Sequence, residues 1–162
     1  MTMITYRFAF VCSLICLSAC SSQSPDYASL GLVDISGTVK VDGEPVPGAV
    51  VSFKDVSNGN ESYGLTNSSG YYRLWFNSEK YGIMPGEKQI QFSTTRKILG
   101  LNSEEEGGGN EESEEGTVVE NSDVEKFRDA YRKDSKIIVT VDEDSSTFDF
   151  DLASDGSTSQ PL

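Results

Sequence analysis

No histidine occurs anywhere in the 162 residues of this chain. That removes the commonest general base, the usual zinc ligand and every catalytic triad built on imidazole. Cysteine is confined to Cys12, Cys16 and Cys20, so no disulfide can staple the rest, whose stability must come from packing. Basic residues are scarce: 13 Lys and Arg stand against 26 Asp and Glu, a formal charge of -13. Such a chain repels phosphate backbones, which excludes nucleic acid as a partner. No apolar run is long enough for a transmembrane helix, and no helical periodicity extends beyond about two turns.

What is present begins with an export signal. Met1 to Arg7 forms a short n-region with one positive charge, and Phe8 to Leu17 forms an apolar core too short to span a bilayer. The next four residues, Leu17-Ser18-Ala19-Cys20, resemble the lipobox of bacterial lipoproteins. That resemblance implies removal of residues 1–19 and acylation of Cys20, the first residue of a mature chain that carries 12 basic and 26 acidic residues, or -14. Several acyl chains anchor a protein at about 0.8 kcal/mol per buried CH₂, without a spanning helix. Ser21 and Ser22 lack the aspartate that retains some lipoproteins at the inner membrane, so the expected address is the cell envelope, at the outer membrane. The alternative is an ordinary signal peptide cut near Ala19, which leaves a secreted protein with a lone thiol. Residues 20–33, small and polar, read as a tether.

From Asp34 the pattern is that of strands. Ile35, Gly37, Val39 and Val41 alternate with Ser36, Thr38 and Lys40, the mark of a half-buried strand. Asp42-Gly43 turns the chain, Pro45 and Pro47 belong to the connection, and Ala49 to Phe53 begins a second strand, giving an opening hairpin. Glu61 to Thr66 is expected to pair with Tyr71 to Phe76 across Asn67-Ser68-Ser69-Gly70. Tyr72, Leu74 and Phe76 then share one face, and Tyr71, Arg73 and Trp75 the other. Gln89 to Thr94, Ile137 to Asp142 and Thr147 to Leu152 complete seven strands, which predicts an all-β fold, a seven-stranded antiparallel β-sandwich over 34–153.

The order Ile35-Ser36-Gly37-Thr38-Val39, then Asp42-Gly43-Glu44-Pro45-Val46-Pro47-Gly48-Ala49-Val50-Val51-Ser52-Phe53, then Thr66 to Leu74 and Pro85-Gly86-Glu87-Lys88, resembles the carboxypeptidase regulatory-like, or transthyretin-like, sandwich. The similarity covers about Asp34 to Ser93, with Asn67 in place of the family's aspartate and Lys88 near its aromatic. Tyr131 to Val141 and Ser146 to Leu152 resemble the ending of small bacterial lipoproteins that carry this domain, although Phe127 to Tyr131 lacks their proline. The hydroxyisourate hydrolases of this fold use histidines and a C-terminal Tyr-Arg-Gly-Ser, and the zinc carboxypeptidases need histidine ligands. This chain has neither, so the resemblance implies a non-catalytic module without a cofactor.

Residues 97–133 read as an acidic, flexible insertion, since Gly100 to Gly116 holds seven glutamates and five glycines without a basic residue. Within it, Val124 to Lys133 is compatible with a short helix, Phe127 and Tyr131 forming a lid on the sandwich edge. Residues 154–162 read as a disordered tail. Two candidate sites stand out. Tyr71 and Trp75, with Tyr72, could form an aromatic platform for a glycan, or instead turn toward the core. Asp149 and Asp151, with Asp142 or Asp144, could pinch a calcium ion in an adhesion module, or be a solvated strand face. The expected role is that of a lipid-anchored envelope module, structural or binding, with a carbohydrate-binding module and a calcium-dependent adhesion module as the alternatives.

Overall fold

The computed structural model describes residues 26–103 and 124–161. Within them β1 (Ser36–Val41) has the expected alternation, with Gly37 and Val39 buried and Ser36, Thr38 and Lys40 partly exposed. Asp42 and Gly43 take φ of 50° and 82°, a pair of positive values whose twist suits a two-residue hairpin. The chain therefore returns at once as β2 (Glu44–Pro45), with Val41 opposite Glu44 and Lys40 opposite Pro45. Pro45 is thus in a strand and not in the connection. Its missing N–H is tolerated because the next bond is made by Val46, whose N–H donates to the Val39 carbonyl.

The expected hairpin of β1 with the following strand is corrected: β3 (Val50–Asp55) crosses to a second sheet. There it is flanked by β4 (Glu61–Leu65) and β6 (Gly86–Ser93), with β7 (Ile138–Val141) beyond β6, all antiparallel. The first sheet is centred on β1. One edge of β1 pairs in turn with β5 (Tyr71–Arg73) and β2, and the other edge pairs with β8 (Phe150–Leu152). The β1–β8 ladder is parallel, so the sheet is mixed and the strands number eight. A parallel partner requires a crossover; the chain between β1 and β8 passes through the second sheet, and residues 142–149 bring it back from β7 to β8.

The expected pairing of β4 with β5 shrinks to one bridge, Tyr63 to Trp75, with N–H···O distances of 3.1 and 2.6 Å. The Asn67 carboxamide oxygen accepts from the N–H groups of Ser69 and Tyr71, and this turn directs β5 onto β1. The Gly70 carbonyl then accepts from Val39, at 2.8 Å.

Side chains from both sheets form a single core. Phe53 on β3 lies 6.2 Å from the Tyr72 ring on β5 and 6.4 Å from Phe150 on β8, and Phe92 on β6 lies 5.1 Å from Phe150. Each such pair adds about 0.5–1.5 kcal/mol beyond burial. Gly37 lets the chain entering β8 come close, since a Cβ there would stand 1.9 Å from the Phe148 carbonyl oxygen. That oxygen accepts from the Tyr72 hydroxyl at 2.8 Å.

The expected helix and lid also change. The helix over 124–133 is replaced by an irregular stretch and a 3₁₀ turn, Asp129–Tyr131. Phe127 and Tyr131 are core residues and not a lid, with Phe127 against Phe92 at 5.5 Å. The described flanks of the insertion, 97–103 and 124–133, are hydrogen-bonded, and the second buries Phe127 and Tyr131; its residues 104–123 lie outside the described residues. The tether is docked from Asp26 onward: Tyr27–Leu30 forms a 3₁₀ turn, and Val33 pairs with Ile83. In the tail, Ser154 donates to Asp42, and Thr158 both donates to the Tyr131 hydroxyl and accepts from Ala153. The signal segment and Cys20 lie outside the described residues. Among those described, no helix is long and apolar enough to cross a membrane.

Candidate functional site

β5 and the residue pair that follows it place Tyr71, Arg73 and Trp75 on the outer side of the first sheet. Tyr71 is 43% exposed and Trp75 is half-buried. Trp75 does not present a bare ring: Tyr81 stacks on it at a centroid distance of 3.8 Å and an interplanar angle of 36°. The Arg73 guanidinium lies 4.0 Å from the centre of the same Tyr81 ring and makes two bonds to Asp34, at 2.8 and 2.6 Å. Tyr72 is excluded from any platform, because it is buried in the core. Burial, and then the charge of Asp149, pushes its phenol well above the ordinary tyrosine range.

Beside Trp75, Phe76 meets the Tyr27 ring edge-on at 6.3 Å. The Tyr27 hydroxyl accepts from Asn77 at 2.9 Å and donates to Glu79 at 3.3 Å. Sequence reasoning found Tyr71 and Trp75 but missed Tyr81 and Tyr27. Tyr81 lay between the predicted strands, and Tyr27 lay in a stretch read as tether.

The four aspartates do not converge. Asp149 accepts from the Thr38 N–H and hydroxyl at 2.7 and 2.8 Å, and Asp151 accepts from the Gly43 N–H at 2.9 Å. Asp142 accepts from the Asp144 N–H and the Ser145 hydroxyl within its own turn. Each of these three carboxylates satisfies backbone donors, two of them tying β8 and its approach to β1. No group of three or more acidic or cysteine side chains able to hold a metal occurs among the described residues.

The outer face of the second sheet carries a groove of about 390 Å³, lined by Val50, Ser52, Gln91, Phe92, Ser93, Thr95, Arg96, Arg132 and Lys133. Its cations are engaged by acids of this chain. Arg96 pairs with Glu61 at 2.9 Å, Arg132 with Glu125 at 3.3 Å and with Asp129 at 3.1 Å, and Lys133 with Asp129 at 3.5 Å. Tyr63 donates to Glu61 as well; burial and that carboxylate push the phenol up to about 12. Glu125 accepts from the Ser93 hydroxyl at 2.6 Å and from the N–H groups of Thr94 and Phe127. Burial pushes its carboxyl up, but these donors outweigh it and the net shift is downward. A carboxylate so held is a poor proton acceptor, and its role at this place is to pin the chain returning at Val124 to the end of β6.

No family model, curated protein or solved structure matches the chain. The residues themselves therefore carry the functional reading.

Proposed function

We propose that this chain is a non-catalytic envelope protein, held at the membrane by lipid on Cys20 and displaying a transthyretin-like β-sandwich in a structural or binding role. The observation that carries the reading is the Leu17-Ser18-Ala19-Cys20 motif directly after an apolar segment. The architecture supports it: two four-stranded sheets contribute to one core, and the carboxylates that could act on a ligand or metal satisfy internal donors instead. The test is palmitate labelling of cells expressing the wild type or Cys20→Ala, followed by membrane fractionation. Label and membrane association of the wild type, both lost in the variant, support the reading. Unlabelled wild type in the medium overturns it.

A further inference from the structure

We propose that the aromatic strip formed by Tyr71, Trp75 and Tyr81, with Tyr27 at its side, rests on the zwitterionic headgroup layer of the membrane that holds the Cys20 anchor. The inference rests on the anchored reading above and adds an orientation and a lipid contact to it.

Reach is the first argument. Tyr27 is the seventh residue after Cys20, so a fully extended chain places Tyr27 within about 24 Å of the acylated residue. Tyr27 is also fixed to the strip, through its ring on Phe76 and its hydroxyl between Asn77 and Glu79. Six residues later Val33 is bonded to Ile83 in both directions, at 2.9 Å each. The segment coming from the anchor thus runs beside residues 74–83, and this end of the domain is the one held nearest the bilayer.

Surface chemistry is the second. Tyr71 and Tyr81 are 43% and 36% exposed. Tyrosine and tryptophan combine an apolar body with a polar tip and favour the membrane interface for that reason. Arg73, the cation within the strip, is neutralised by Asp34, so the strip presents rings without a free charge on that guanidinium. A mature chain of charge -14 is repelled by an anionic surface, which selects zwitterionic lipid as the occupant.

The chain supplies its own probe, since Trp75 is its only tryptophan and Cys20 is the only cysteine after position 16. A maleimide phospholipid coupled to Cys20 of residues 20–162 fixes the anchor chemically, whether or not cells acylate it. The coupled protein is placed in vesicles of phosphatidylcholine and phosphatidylethanolamine with brominated acyl chains. The expected result is a shift of Trp75 emission to shorter wavelength and at least a twofold loss of intensity against unbrominated vesicles. Tyr71→Glu, at an exposed position that leaves the core intact, should reduce the quenching about twofold or more. Emission that is identical in brominated and plain vesicles, from protein that floats with both, overturns the lipid contact and leaves the palmitate result untouched. Equal quenching of wild type and Tyr71→Glu also overturns the role assigned to the strip.

Discussion

Lys88 occupies an inward position on β6, in line with Ile90 and Phe92, where the alternation asks for an apolar side chain. It is 1% exposed, and its ammonium pairs with Asp55 while donating to the Pro85 carbonyl at 3.2 Å. Asp55 in turn accepts from the Ser57 hydroxyl and N–H at 2.5 and 2.9 Å and from the Asn58 N–H at 3.2 Å. The two partners are unequally provided for, and this predicts unequal mutants. Asp55→Ala leaves a buried ammonium with one carbonyl and should cost about 3–5 kcal/mol. Lys88→Met leaves a carboxylate that keeps three donors, and it should cost less, about 2 kcal/mol. Urea denaturation of both variants measures the order; a larger loss for Lys88→Met contradicts it. Lys88, and then Ser57, hold the Asp55 carboxyl well below its ordinary 3.8. The folded state thus binds this proton less readily than the unfolded state does. The contribution is complete above pH of about 4 and fades as the pH falls toward the folded value. Asp55→Asn should accordingly show a shallower loss of stability between about pH 4 and pH 2 than the wild type. In the sequence, Lys88 stood out only as a departure from the aromatic of a resembling motif. Period-two reasoning marks which face a residue is on, and it does not reveal a buried partner 33 positions away.

At the scale of elements, most strand positions were legible because alternating side chains and turn residues are local signals. Partnership was not, since one face pattern is compatible with many neighbours. β8 illustrates this: alternation with Asp149 and Asp151 sets Phe150 and Leu152 on the buried side, but their parallel docking on β1 depends on Gly37 and on a crossover that no local pattern encodes. Phe127 and Tyr131 fitted a helical spacing, yet Glu125 and the ring of Phe92 hold that stretch in an irregular path before its short 3₁₀ turn. The aspartates near β8 separate a structural from a metal role. Asp149→Ala strips the Thr38 N–H of a charged acceptor, and the expected cost is about 2 kcal/mol. EDTA or added calcium should leave the melting temperature of the wild type unchanged. A calcium-induced rise that disappears in Asp149→Ala would instead establish a cation site.

For the molecule as a whole, the described core joins residues on both sides of the long acidic stretch. Phe92 precedes the stretch, Phe127 and Tyr131 follow it, and Glu125 bonds the returning chain to residues 93–95. Residues 104–123 hold nine of the 26 acids and no basic residue. Their apolar residues are two valines, too few to add a second core. Replacing these 20 residues with five of glycine and serine shortens the closed loop fourfold, which lowers its closure entropy by about 1 kcal/mol. For a chain of this length the expected gain is about 3 °C in melting temperature. Nine fewer like charges should also flatten the dependence of the midpoint on salt, because less self-repulsion remains to be screened. Calorimetry across a salt series measures both effects. A lower midpoint, or a melt that is no longer cooperative, would mean that the stretch itself holds Phe127 and Tyr131 in place; a retained melt with a weaker salt response assigns that task to Glu125 and the end of β6.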